Sequence, residues 1–171
     1  TKKTKEAGFP GLHLQAILWG SIPASMKDVP GDPIETQNSI LGYFGFKSMT
    51  NYQWCHIVHA SGDYLSWGEK ATSKWDEWDT TFSIPYCPHV SIGWDNNPRF
   101  PDKRQDCIIN NTPEYLKKFL QKAKAYIDNH PEQPRLISIN AWNEWAEGSY
   151  LEPDTTFKFQ YLEQVKEVFC K

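Results

Sequence analysis

The stretch Asn111–Gly148, NTPEYLKKFLQKAKAYIDNHPEQPRLISINAWNEWAEG, holds a helix, a loop, a strand and a cluster of acids, in that order. Tyr115, Leu116, Phe119, Leu120, Ala123 and Ile127 recur at helical spacing and mark a buried stripe. Thr112 can cap this helix. Pro113 suits its first turn, where no amide hydrogen is needed. The segment Asn129 to Pro134 closes it. Leu136, Ile137 and Ile139 then form a short apolar run, read as a strand, which discharges into Trp142, Glu144, Trp145 and Glu147.

The same alternation extends in both directions. GLHLQAILWG is a strand ending at Trp19–Gly20, and PIETQNSILGYFG has helical spacing, with Ile34, Ile40, Leu41 and Phe44 on or near one side. KSMTNYQWCHIV reads as a second strand. From Asp63, the residues Tyr64, Trp67, Ala71, Trp75, Trp78 and Phe82 predict one helix with those side chains in the core. YCPHVSIGWDN is a third strand. FKFQYLEQVKEVF is a last helix, with Tyr161, Leu162, Val165, Val168 and Phe169 inward. Thr1 to Ala7 reads as the tail of a further helix. The pattern βαβαβαβα implies a parallel sheet with right-handed crossovers, so the fold class is α/β. Two architectures fit four β/α units: a small open parallel sheet, or the C-terminal half of a (β/α)8 TIM-type barrel, which needs ~250 residues when complete.

Residues 1–171 are therefore expected to form a single α/β domain, a piece of a larger barrel in the second case. Its partner would then be the N-terminal half of that barrel, or a second copy covering the sheet edges. A net charge of −3 gives no basic footprint for nucleic acid. No apolar run is long enough to span a bilayer, no signal pattern is visible, and nothing in the chain specifies a compartment. Cys55, Cys87, Cys107 and Cys170 form no CxxC pair and read as free thiols.

The chain has eight tryptophans. Trp67, Trp75 and Trp78 lie on the helical stripe and are expected in the core. Trp19, Trp54, Trp94 and Trp142 fall near the C-terminal ends of the four strands, with Trp145 just beyond. In parallel α/β folds those ends share one face, and ligands bind there. Asp95, Arg99, Asn143, Glu144 and Glu147 fall at the same ends. Flat indoles cover the C–H face of a sugar ring, while carboxylates and amides take its hydroxyls, so this set suits a saccharide. Core or rim packing is the competing reading for each tryptophan. Arg99 is a sugar or phosphate ligand, or a salt bridge to Asp95 bordering the site. Glu152 is expected to hold the loop before Pro153. His56 and His59 have metal-ligand spacing but lack a third ligand, so neither a metal nor a cofactor is expected.

INAWNEWAEGSYLEPD together with GWDNNPR resembles the WbsX-type, glycoside hydrolase family 99-like group, related to endo-α-mannosidases and endo-α-mannanases. The resemblance covers Gly11 to Phe169. It implies a (β/α)8 barrel of which this chain supplies about the last four units, and metal-free carbohydrate chemistry. It also implies roles for two residues. Glu144 would act on the sugar's 2-hydroxyl, which attacks the anomeric carbon to give a 1,2-anhydro intermediate. Glu147 would protonate the leaving oxygen and then activate water, with retention of configuration. Ala146 stands where the hydrolases carry histidine, so mannoside specificity transfers less securely than mechanism. The implied function is a retaining glycoside hydrolase acting on α-linked, mannose-type glycans. Two alternatives stand beside it: a glycosyltransferase of surface-polysaccharide synthesis, and a non-catalytic carbohydrate-binding fragment. The chain alone is expected to be inactive.

Overall fold

A computed structural model describes residues 2–19 and 33–170. The elements run α1 (Lys2–Glu6), β1 (Gln15–Leu18), α2 (Pro33–Phe44), β2 (Ser48–Asn51), β3 (Gly62–Asp63), α3 (Tyr64–Thr72), α4 (Trp75–Thr81), β4 (His89–Ser91), β5 (Ile108–Ile109), α5 (Pro113–Asn129), β6 (Ser138–Asn140), β7 (Asn143–Glu144), β8 (Ser149–Tyr150) and α6 (Gln160–Phe169). Thr1, at the start of the expected first helix, and the side chain of Ile34 lie outside the described residues.

The strands form short pairs, and the fold is mixed α/β. Parallel pairs join β1 to β2, β3 to β5, and β4 to β6, while β7 and β8 form an antiparallel pair. A single parallel bridge, Met49 to Tyr86, connects β2 to the segment leading into β4. Its bonds run from Met49 N to Pro85 O at 2.9 Å and from Cys87 N to Met49 O at 2.7 Å. The four strands expected from the sequence thus neighbour one another in chain order: β1, β2, β4, β6.

Local signals explain most boundaries. Asp63 Oδ1 accepts from Leu65 N and Ser66 N and starts α3. Thr112 Oγ1 accepts from Tyr115 N and starts α5, with Pro113 in its first turn, as the sequence indicates. The single helix expected from Asp63 to Phe82 is instead two. Lys74 N bonds back to Ala71 O at 3.2 Å, a tighter turn that ends α3 before Trp75 begins α4. All six stripe side chains are buried nonetheless. The second strand also ends earlier than expected: after Asn51 the chain turns into a 3-10 helix, Trp54–His56. In α2 only part of the expected stripe packs. Leu41 is buried, whereas Ile40 and Phe44 are exposed.

Strand alternation divides the sheet into two unlike faces. Met49, Tyr86 and Val90 join the core, where Trp54, Tyr64, Trp67 and Phe119 pack edge-on or stacked, with centroids 5.2–6.3 Å apart. The other face carries small polar residues: Gln15, Ser48, Thr50, His89, Ser91, Ser138 and Asn140. Several bond laterally, Thr50 Oγ1 to Ser138 Oγ at 2.9 Å and His89 Nδ1 to Ser138 Oγ at 2.8 Å. No helix of the described residues is long and apolar enough to cross a membrane.

Candidate active site

The polar face opens into a cleft of about 380 Å³, floored by Thr50, His89, Ser138 and Asn140 and bordered at its upper end by Tyr52, Trp142 and Glu144. Beside it stands the carboxylate pair. Glu144 ends β7, and Glu147 ends the 3-10 turn Trp145–Glu147 that follows. Gly148 closes that turn with φ +59°, a left-handed conformation, and a Cβ there would lie 3.1 Å from Asp95 Cβ. Gly93 meets a closer limit: its Cβ would fall 2.6 Å from Gly148 O. These glycines let the loop after β4 lie directly against the acid loop. Asp95 N completes the contact by donating to Glu147 O at 2.7 Å.

One guanidinium joins the two acids. Arg99 Nη1 lies 2.8 Å from Glu147 Oε1, and Arg99 Nη2 lies 3.1 Å from Glu144 Oε2. This corrects the partner expected for Arg99, which is not Asp95. The Asp95 carboxylate is engaged locally, accepting from Asn97 N at 2.9 Å and Asn97 Nδ2 at 2.7 Å. Asn97 in turn bonds Gln105 both ways, donating Nδ2–H to its carbonyl and accepting its amide. The loop carrying Arg99 is thus stapled at its base.

The two acids differ in environment. Side-chain exposure is 37% for Glu144 and 8% for Glu147. Glu147 Oε2 is buried without a hydrogen-bond partner. Burial pushes the Glu147 carboxyl above the ordinary glutamate value; Arg99 opposes this and Glu144 adds to it. The same acids reach the groups opposite. Tyr52 is raised by burial and then by Glu147 and Glu144, and Cys55 is pushed up to about 12 by burial and then Glu147. A buried carboxyl shifted upward beside a more exposed one, both held by Arg99, is an asymmetry that acid–base chemistry can use.

The tryptophans separate into groups. Trp142 is 54% exposed on the cleft. Trp19 is exposed and stacks on Tyr52 with centroids 4.8 Å apart and planes 9° from parallel; His56 also packs on it. Trp145 stacks on Tyr150 at 3.8 Å and donates Nε1–H to Glu152 Oε2 at 2.6 Å, so Glu152 does secure the acid loop. Trp142 and Trp145 are both half-exposed. Trp94 faces a second, open pocket of about 260 Å³ with Cys55, His56 and Asp106. Trp54 corrects its expected role. It has no exposed surface, its Nε1–H donates to His89 O at 2.9 Å, and it packs on Trp67 and Phe119. Asn143 is exposed on β7. His56 and His59 both line the second pocket, where His59 pairs with Asp106 at 3.0 Å. Among the described residues no group of three or more His, Cys, Asp or Glu is placed to hold a metal.

Sequence reasoning missed Tyr52 and the polar floor. The floor had a signal, since polar residues occupy alternate positions in β2, β4 and β6. Beneath the acids, Gln53 Nε2 donates to Asn140 Oδ1 at 2.6 Å, and Ser149 Oγ donates to Asn140 O at 2.8 Å. This network ties the end of β2 to β6 and β8.

The family comparison agrees with the motifs. The profile of the family described as "Glycosyltransferase WbsX" matches residues 5–165, and the chain belongs to that family. Two curated relatives, each named "Uncharacterized protein WxcX", come from two strains of Xanthomonas campestris pv. campestris. Both are 32% identical over 111 residues, covering 65% of this chain, and the matched segment spans only 16% of their length. A solved structure described as "Glycoside hydrolase-like protein" matches 80% of this chain and 49% of its own, at 12% identity and a TM-score of 0.48.

Proposed function

We propose that this chain is the carboxylate-bearing part of a carbohydrate-active enzyme, a retaining glycoside hydrolase acting on an α-linked, mannose-type glycan. The observation that carries the reading is the asymmetric pair: Glu147 buried, with one oxygen unpartnered and its carboxyl raised, beside the half-exposed Glu144. Glu144 acts as base toward the sugar's 2-hydroxyl. Glu147 protonates the leaving oxygen and then takes a proton from water. The 2-hydroxyl mechanism asks neither carboxylate to attack carbon, so it tolerates separations outside the ~5–5.5 Å of ordinary retaining pairs. Trp19, Trp142 and Trp145 offer aromatic faces to the sugar. Trp94, Asp95 and Asn143 lie at the margin, Asp95 as a support for the Arg99 loop.

The strand order β1, β2, β4, β6 has no switch point, and its polar face is left to an open cleft. Both features favour half of a (β/α)8 barrel over an open doubly wound sheet, in which helices cover both faces. About four more β/α units encoded upstream would support this, and an unrelated upstream domain would not. The chain alone is then inactive.

The test is the full-length protein on an α-linked polysaccharide. Glu144→Gln and Glu147→Gln each abolish turnover and leave glycan binding intact. Normal turnover by both variants would overturn the assignment. The family's description as a glycosyltransferase favours a second reading, transfer from a sugar nucleotide. Calorimetry with nucleotide sugars separates the two: the hydrolase takes up no nucleotide sugar.

A further inference from the structure

Arg99 is the feature that the resemblance does not explain. Its two terminal nitrogens are taken by two different carboxylates, Glu147 at 2.8 Å and Glu144 at 3.1 Å. Two of its five N–H donors are engaged, and the fork that would clasp one carboxylate or phosphate in a bidentate way is split between two acids. The surroundings also fix it. Pro98 precedes it in a short 3-10 turn, Arg99 N donates to Asn96 O at 3.1 Å, and Asn97 staples the loop to Asp95 and Gln105. Asp95 then locks that loop to the acid loop through its amide bond to Glu147 O.

We propose that Arg99 is a positioning residue, which cross-links Glu144 and Glu147 and holds the two carboxyl groups in register for the reaction, and is not a ligand of the saccharide. The inference rests on the carboxylate-pair reading above. Two consequences follow from the geometry. First, without Arg99 the acids are two like charges on separate elements, β7 and the following turn, with no common anchor. Second, the charged and titratable groups facing Glu147 are Arg99, Glu144, Tyr52 and Cys55, and Arg99 alone among them favours its ionised form. Glu147 has to give a proton in one half-reaction and take one in the next. Burial and Glu144 favour its proton-holding state, and Arg99 keeps the proton removable. A saccharide bound in this site meets two carboxylates and one already-paired cation, which suits a neutral sugar better than an acidic one.

The test uses Arg99→Met and Arg99→Lys in the full-length protein on an α-linked polysaccharide, beside the two glutamate-to-glutamine variants. For Arg99→Met, kcat falls on the order of 10²-fold, the loss typical of misplaced reacting groups, while KM stays near wild type. The limb of the pH–rate profile set by Glu147 moves to higher pH, because the group that opposes the rise of that carboxyl is gone. Arg99→Lys restores the charge at one point only, so that limb moves back while kcat stays depressed. A raised KM with an unmoved limb would make Arg99 a substrate ligand and overturn the proposal. Asn97→Ala guards against a folding artefact, since it loosens the loop and keeps the charge: kcat falls, and the limb stays. A substrate-free readout is the 13C carboxyl titration of Glu147, which shifts upward in Arg99→Met; an unchanged titration would also overturn the proposal. Should both glutamine variants turn over normally, the functional reading fails and this inference fails with it. Inactive glutamine variants with a wild-type Arg99→Met would sink the inference alone.

Discussion

The two faces of the same four strands teach different lessons. On one face Met49 and Val90 meet Trp54, Tyr64, Trp67 and Phe119, and the indole N–H groups of Trp54 and Trp67 and the Tyr64 hydroxyl are paired within the protein. On the other face Thr50, His89, Ser138 and Asn140 line an open cleft, and the acids stand at its upper end. Trp54 follows β2 and Trp142 follows β6, each within three residues of its strand's end. One lies wholly beneath the sheet and the other half in solvent. The difference is set by backbone: β2 stops at Asn51 and its 3-10 turn carries Trp54 under the strands, where its indole N–H finds His89 O. A burial pattern that serves stability on one side leaves the other side free for chemistry.

The largest expected effect is on the covered face. Trp54→Ala costs about 3–5 kcal/mol by leaving a large cavity, measured by urea denaturation. Next comes His89 on the open face, buried between Ser138 and Ser91 and held neutral, its pKa lowered to about 3 from 6.5 by burial. The unfolded chain takes the proton first as pH falls. Stability is therefore full above about pH 6.5 and is lost progressively toward pH 3, by a few kcal/mol in total. His89→Gln flattens that acid dependence. A wild-type denaturation midpoint with no fall in this range would break the picture of a dry polar floor. The smallest effect on stability is at the rim. Trp142→Ala stays within about 0.5 kcal/mol of wild type. It weakens saccharide retention in affinity electrophoresis, and an equal loss of stability in Trp142→Ala and Trp54→Ala would erase the distinction.

Much of this was legible in the sequence because period carries it. The stripe of α5, its Thr112 cap and the six buried side chains from Tyr64 to Phe82 are all visible as spacing. The break between α3 and α4 is not, since the apolar spacing continues through Ser73 and Lys74 while the backbone tightens. The pair β3 and β5 consists of two residues on each side, too few to show alternation. Glu144 and Glu147 stood out by their place after a strand. Their cross-link to Arg99 did not, because a bond between residues 45 positions apart depends on how two loops meet. Trp54 misled for a similar reason: sequence gives the strand's end only to within a few residues, and those residues decide which side an indole takes.

The central claim is that burial divides the labour of one carboxylate pair. The most direct measurement is the carboxyl titration of Glu147 in the unliganded protein, followed by 13C NMR with Glu147→Gln to assign the resonance. The account predicts a midpoint above the ordinary glutamate value of about 4.3, because burial outweighs Arg99. A midpoint at or below that value would mean that the ion pair dominates, and would contradict Glu147 as the proton-holding member of the pair.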